Sequence, residues 1–306
     1  MRDTDTLILH HYDLSPFSEK IRKILAHKNV PWRSVTQPMW LPRPHLTPMT
    51  GAYRRIPVLQ IGADIYCDTR LIARTIDARH PDPPIYPRGL EAAADTIAQW
   101  ADRPMFAAAV PQVFTALAAM MPPELIEDRR KMRPDLDPSV LLANVPGLRD
   151  ELRAFVASLE RTLASGTFLL GSAFSLADAA VYHLLWFVRN PPEMAAMLSH
   201  FPGVGRWMAR VDAIGPGRPE PMAPEAALEI ARAAEPKTAR REDPDDPGGL
   251  APGARVAVSS DDLPQDRFVG TVHALAPDEI VILREDPACG TIAQHFPRAG
   301  YRVAPV

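Results

Sequence analysis

Two spacings of apolar side chains alternate along the first 80 residues. Short apolar runs are typical of buried strands, and stretches with apolar residues three and four positions apart are typical of helices. The strand-like runs are residues 7–9, 31–35, 58–61 and 64–66, and the helix-like stretches are 18–27 and 68–79. Their order, β-α-β-β-β-α, predicts a compact α/β domain at residues 1–82.

Helical spacing dominates the next part of the chain, where alanine is frequent and prolines stand at the apparent ends of segments. The predicted helices are 90–101, 105–121, 139–164, 176–189, 193–200, 203–213 and 224–234. Ser175 and Asp178 form a variant of the capping box before one of them, with Phe174 as a hydrophobic staple. We therefore expect an all-helical domain at residues 88–234.

The pattern changes again after residue 234. Residues 235–252 are charged, rich in proline and glycine, and nearly free of apolar side chains, which predicts a linker. Short strand-like runs separated by turn residues then follow at 255–258, 268–272, 279–283, 291–296 and 301–303. Five short strands predict a small, all-β, SH3-like barrel domain at residues 253–306.

Composition narrows the functional classes. The net charge of −3 gives no bulk attraction to nucleic acids or membranes, and no apolar run reaches the ~18 residues of a membrane span. Residues 1–80 carry 12 basic and 7 acidic side chains, which suits an anionic ligand or a solvated basic face. We expect a cytoplasmic protein that binds neither membranes nor nucleic acids.

The numbers and spacing of cysteine and histidine residues exclude further kinds of site. Cys67 and Cys289 are the chain's two cysteines, which excludes a disulfide framework and a thiolate metal site. The histidines show no spacing typical of metal ligands. We therefore predict no metal.

Candidate chemistry begins at Ser15, between the first strand and the first helix. The start of a helix presents unpaired backbone amides that stabilise an anion, and a serine hydroxyl there can donate a hydrogen bond to a thiolate. Serine followed by proline is equally an ordinary helix cap. Tyr12 and Ser18 are alternative hydroxyl donors.

Two further segments fit a bound peptide. Pro57 follows Ile56 at the start of a strand and is a candidate for a cis peptide bond, which would let the Ile56 backbone pair with an extended peptide. Asp68 and Thr69 open a helix, where the amides and the threonine hydroxyl can hold a carboxylate and Asp68 can accept from an ammonium group. A second helix cap explains this pair as well.

In this order, the three segments resemble the thioredoxin-like N-terminal domain of cytosolic glutathione S-transferases. The resembling residues are Ser15-Pro16-Phe17-Ser18, Arg55-Ile56-Pro57-Val58-Leu59 and Asp68-Thr69. The helical region around Ser175-Leu176-Ala177-Asp178-Ala179 resembles the C-terminal domain of that family. The resemblance covers roughly residues 6–234 and leaves the β domain outside the usual two-domain pattern.

The resemblance implies glutathione as co-substrate. Ser15 matches the position that activates the thiol, and Ile56, before Pro57, matches the backbone that pairs with the cysteinyl unit. Asp68 and Thr69 match the pair that binds the γ-glutamyl end, with Thr69 in place of the commoner serine. Arg55 matches a basic residue near the glycyl carboxylate.

Two functions remain open on the sequence. The preferred one is a detoxifying transferase that adds the glutathione thiolate to a small apolar electrophile. Serine instead of cysteine at positions 15 and 18 argues against disulfide exchange. The alternative is a binding or regulatory protein that has the fold without the activity, motivated by the appended β domain. The resemblance also implies a homodimer.

Overall fold

The computed structural model describes residues 3–51, 53–132, 145–263 and 265–306. The beginning of the helix predicted at 139–164 lies outside these residues. The chain divides into two compact units. The sheet unit comprises Met1–Ser15, Pro31–Thr75 and Pro219–Val306, and the helical unit comprises Pro16–Val30 and Ile76–Arg218.

The strands of the described residues form one continuous sheet. They are β1 (Ile8–His11), β2 (Pro31–Thr36), β3 (Val58–Ile61), β4 (Asp64–Tyr66), β5 (Arg218–Pro221), β6 (Arg255–Ser260), β7 (Phe268–Leu275), β8 (Glu279–Asp286), β9 (Gly290–Pro297) and β10 (Tyr301–Pro305). Their spatial order is β10-β6-β7-β8-β9-β4-β3-β1-β2-β5. The sheet thus joins early and late parts of the chain.

The early strands give the thioredoxin-like arrangement. Strand β1 runs parallel to β2 and antiparallel to β3, and β3 pairs antiparallel with β4. The predicted hairpin at 58–66 is confirmed, and Gly62 occupies the left-handed region in its turn at φ +61°. Two helices follow the expected positions, α1 (Pro16–Lys28) and α3 (Thr69–Arg79), and a short helix α2 (Thr47–Thr50) lies between β2 and β3.

The late strands form the predicted small β fold. Strands β6 to β9 are an antiparallel meander, and β10 returns to pair with β6. Strand β9 also pairs in parallel with β4, with Tyr66 opposite His295. The boundaries of the predicted domains stay a prediction, but these strands share one sheet with the thioredoxin-like strands.

One hydrophobic cluster accompanies this shared sheet. Tyr53, Ile56 and Ile65 from the early segment are buried in the same cluster as Phe268 and Phe296 from the late strands. The ring centroids of Tyr53 and Phe268 lie 5.6 Å apart. Burying an aromatic side chain contributes roughly 1.5–3 kcal/mol, so this cluster holds the two segments together.

The segment predicted as a linker contains no helix or strand, yet it is attached to the sheet unit. The amide of Lys237 and the hydroxyl of Thr238 donate to Asp64. Further along, the Leu275 amide donates to the Arg241 carbonyl at 2.9 Å. These bonds fix the path of the chain from the last helix into β6.

The helical unit confirms the predicted class of the middle region. Its further helices are α4 (Glu91–Trp100), α5 (Phe106–Leu117), α6 (Pro123–Met132), α7 (Val145–Leu163), α8 (Leu176–Val188), α9 (Pro192–Ser199) and α10 (Pro202–Asp212), while α11 (Pro224–Arg232) belongs to the sheet unit. A π-helical segment, Ala101–Met105, links α4 to α5. Helix α6 was not predicted.

The predicted cap of α8 is present. The carboxylate of Asp178 accepts hydrogen bonds from the Ser175 amide at 2.9 Å and the Ser175 hydroxyl at 2.7 Å. It also accepts from the Leu169 amide and from the indole nitrogen of Trp207. Among the described helices, none is long and apolar enough to cross a membrane.

Candidate functional site

Three segments of the sheet unit meet at one end of the sheet. Because β3 runs antiparallel to β1, the start of β3 lies beside the end of β1, with Val58 opposite His10. Because β4 runs antiparallel to β3, Tyr66 at the end of β4 lies opposite Leu59. The chain before β3 and the chains after β1 and β4 therefore emerge at the same edge.

Ser15 ends the first of these segments. Its amide donates to the Tyr12 carbonyl at 3.1 Å, which closes a tight turn after β1, and α1 begins at the next residue. The Ser15 side chain is buried, with 2% of the residue exposed. Tyr12 is partly buried against the hydrophobic cluster, and Ser18 is buried within α1, in the helical unit.

The second segment carries a cis peptide bond between Ile56 and Pro57, as the sequence predicted. Both residues are buried. The loop before them is held by Arg43, whose guanidinium donates to the carbonyls of Pro38 and Arg54 at 2.9 and 2.6 Å. A buried arginine on several carbonyls fixes the approach of the chain to Ile56.

The third segment is the start of α3. Asp68 has a positive φ of 75°, which is uncommon for a residue other than glycine. Its Oδ1 accepts from the Arg70 amide at 2.9 Å, and its carbonyl accepts from the Ile72 amide at 3.0 Å. Asp68 therefore caps α3, and the buried Thr69 is the first residue of that helix. The cap fixes the backbone at the start of α3, shortly after the end of β4.

Arg55 has partners that the sequence did not indicate. Its Nη2 donates to Ser260 Oγ at 3.2 Å and to the carboxylate of Asp262, both just beyond or at the end of β6. Burial raises the pKa of Asp262, but the charge and hydrogen bond of Arg55 outweigh it and hold that pKa below its ordinary value. The separation of about 200 positions in the chain hid this pair.

The imidazole of His10, in β1, is neutral at neutral pH. Burial lowers the pKa of His10 to about 4, against a smaller opposing effect of its hydrogen bond with Gln60. Gln37 Nε2 donates to Nδ1 at 3.2 Å, so Nε2 carries the proton and donates to Gln60 Oε1 at 2.9 Å. His10 is therefore a structural residue at neutral pH.

Metal binding has no support within the described ranges, where no group of three or more histidine, cysteine, aspartate or glutamate side chains could hold an ion. Both cysteines are buried, and burial raises the pKa of Cys67 to about 12 and of Cys289 to about 11. Neither thiol has the low pKa of a reactive cysteine.

Two domain families match consecutive parts of the chain. Residues 9–84 match the family described as glutathione S-transferase, N-terminal domain, and residues 83–210 match glutathione S-transferase, C-terminal domain. The late strands β6 to β10 lie outside both matches.

Individual relatives differ in how much of the chain they share. The crystal structure of a GST-like protein from Pseudomonas syringae is 38% identical, covers 99% of this chain and 100% of its own, and has a TM-score of 0.83. The apo form of glutathione S-transferase III shares the fold at 22% identity and a TM-score of 0.53, over 68% of this chain and 92% of its own. FtsZ-localized protein A of Caulobacter vibrioides is 27% identical over 184 residues, which are 58% of this chain and 75% of that protein.

Proposed function

The chain belongs to the glutathione S-transferase family, and from this we propose that it binds glutathione and activates its thiol for addition to a small apolar electrophile. The observation that carries the proposal is the convergence of Ser15, Ile56-Pro57 and Asp68-Thr69 at one edge of the sheet. A tripeptide that spans this edge would meet all three segments.

Each residue has a proposed role. The Ser15 hydroxyl donates to the glutathione sulfur and favours the thiolate over the thiol. The Ile56 backbone pairs with the cysteinyl unit, as an added strand would. Thr69 and the amides at the start of α3 hold the γ-glutamyl carboxylate, and Asp68 accepts from the ammonium group. The proposed place of Arg55 is beside the glycyl carboxylate.

Asp68 remains able to accept from a ligand while it caps the helix. Its Oδ1 is engaged by the Arg70 amide, and no described residue donates to Oδ2. A carboxylate with one oxygen on the helix and one oxygen toward the ligand would orient the ammonium group. The positive φ of Asp68 sets the direction of this side chain.

Replacing Ser15 with alanine tests the assignment. A hydrogen bond to a charged group contributes about 1.5–3 kcal/mol, so turnover with a chlorodinitrobenzene electrophile should fall roughly 10- to 100-fold. Glutathione affinity by calorimetry should change little, because Ile56, Asp68 and Thr69 remain. Tyr12→Phe and Ser18→Ala are the matched controls, and unchanged turnover in Ser15→Ala would remove Ser15 from the mechanism.

A second candidate function is binding or regulation without catalysis. Two observations favour it: the late strands engage Arg55 through Ser260 and Asp262, and one relative is named for its localisation with FtsZ. Calorimetry with glutathione separates the candidates, because a protein of the second kind shows no binding at millimolar concentration. A homodimer and a cytoplasmic location accompany either function as proposals.

A further inference from the structure

Arg55 precedes Ile56-Pro57 in the proposed glutathione site, and it also binds two residues at the end of β6 and just beyond it. Its guanidinium is bound to the carboxylate of Asp262 and to Ser260 Oγ, so the positive charge that would attract a ligand carboxylate is already paired. The side chains of Arg55 and Asp262 are 28% and 38% exposed, which leaves the pair at the surface, within reach of a ligand.

A second acidic side chain lies near the two arginines. Asp266, on the same β6–β7 connection, lies close enough to Arg54 and Arg55 for their charges to act on its carboxyl group. Burial nevertheless raises the pKa of Asp266 above its ordinary value, and the charge of Asp262 adds to that rise. Two carboxylates thus balance the charges of two arginines, so a further carboxylate from a ligand would meet no net positive charge there.

The position of Asp262 is fixed by its neighbours. The Leu263 amide donates to Ser260 Oγ at 3.2 Å, and the Leu263 side chain is buried, with 3% exposed. The Asp261 amide donates to the Gly300 carbonyl at 3.0 Å. Because bonds on both sides anchor the turn, the Asp262 carboxylate stays on Arg55 without a ligand.

We propose that Asp262 is a specificity-determining residue that occupies Arg55 in place of the carboxylate of a ligand's C-terminal residue. The inference rests on the proposed function, since it concerns the glycyl end of the same site. The protein then accepts thiol peptides whose C-terminal carboxylate is blocked, amidated or extended as readily as free glutathione. The γ-glutamyl and cysteinyl parts supply the affinity.

The test compares glutathione with its glycyl monoethyl ester, which lacks the C-terminal charge. Calorimetric Kd values are measured for both ligands on the full chain and on Asp262→Asn, Arg55→Gln/Asp262→Asn and Asp278→Asn. Asp278 is the matched control, because it forms a 2.7 Å ion pair between the late strands and Arg74 of α3.

The unmodified protein should bind the two ligands within about twofold of each other. Asp262→Asn removes the negative charge that neutralises the guanidinium, so this variant should prefer free glutathione by roughly tenfold, as expected for a new charge-assisted hydrogen bond. The double variant should lose that preference, and Asp278→Asn should behave as the unmodified protein does.

Two results would overturn the inference and leave glutathione binding intact. One is a tenfold preference of the unmodified protein for free glutathione over the ester, which needs no variant. The other is an Asp262→Asn protein with an unchanged Tm and no gain in preference. If neither ligand binds any of these proteins, the proposed function fails together with the inference.

Discussion

His295 is held between two carboxylates where β9 meets β4. Its Nδ1 lies 2.8 Å from Glu279 Oε1, its Nε2 lies 3.1 Å from Asp64 Oδ1, and the ring stacks on Tyr66 at 4.1 Å. Burial opposes the charged form of the imidazole, but the hydrogen bonds and charges of Asp64 and Glu279 outweigh it, so the pKa of His295 is raised. The imidazole therefore links late and early strands, and its two carboxylate partners favour its charged form.

This cluster predicts a pH-dependent contribution to stability. A raised pKa means that the contribution of His295 is fully present below its unfolded value of about 6.5 and is lost as pH rises through the folded value. His295→Gln should therefore lower the Tm most near pH 6, and the difference from the unmodified protein should shrink as pH increases.

Thermal unfolding of both proteins across a pH series from 6 upward measures this effect. His45→Gln is the control, because His45 forms an exposed pair with Glu225. The contribution of Asp64 to stability has the opposite pH dependence. Burial raises the pKa of Asp64, but the hydrogen bonds from His295, Lys237 and Thr238 outweigh this effect and hold the pKa below its ordinary value. The contribution of Asp64 to stability is therefore lost as pH falls through that pKa. A Tm difference for His295→Gln that stays constant with pH would contradict the account.

At the scale of single elements, α8 depends on one carboxylate. Asp178 satisfies the Ser175 amide at the helix start and also binds the Leu169 amide and the Trp207 indole, away from water. Asp178→Ala leaves several buried donors without a partner, each worth about 1–3 kcal/mol. We expect the free energy of unfolding to fall by roughly 3 kcal/mol or more.

Denaturant unfolding with matched variants measures this loss. Glu193→Ala removes an exposed acidic side chain from the first turn of α9, and it should change the free energy of unfolding by less than about 0.5 kcal/mol. A similar small effect for Asp178→Ala would show that the cap does not stabilise the helix.

The elements that the sequence predicted are those with a buried face. Strands β3 and β4 and the helix α8 bury most of their side chains, and their apolar spacing located them within two residues. Helix α6 buries Leu125 and has a largely charged sequence, so it lacks an apolar period. Strand β5 is fully exposed and contains two prolines, which is why the pattern missed it.

At the scale of the whole chain, the pairing of β9 with β4 attaches the late strands to the early strands. A parallel pair has no connecting turn to announce it, and its partners are separated by more than 200 positions, so the sequence could not reveal it. The same distance hid Ser260 and Asp262 beside Arg55. Local motifs predicted Ser15, Ile56-Pro57 and Asp68-Thr69 because each is a short segment at the end of an element, and their roles stay a prediction.

Because β9 pairs with β4, we expect removal of the late strands to destabilise the remaining chain. A chain ending at residue 234 would expose the edge of β4 and the side chains of Tyr53, Ile56 and Ile65, which are buried in the shared cluster. Exposed sheet edges and apolar surface favour aggregation. The truncated protein should be insoluble or lose cooperative unfolding.

Size-exclusion chromatography and thermal unfolding of the truncated protein test this prediction. A chain ending at Pro305 is the control, because Val306 is exposed and lies beyond β10. A soluble truncated protein that unfolds cooperatively at the Tm of the full chain would show that the late strands form an independent domain.

At the edge marked by Ser15, the proposed site binds glutathione and favours its thiolate. The most direct measurement is the ultraviolet absorbance of the thiolate as a function of pH, with glutathione bound to the full chain. We expect a thiol pKa about two units below the ordinary value of ~8.5, and a return toward that value in Ser15→Ala. Bound glutathione that titrates near 8.5 in both proteins would contradict it.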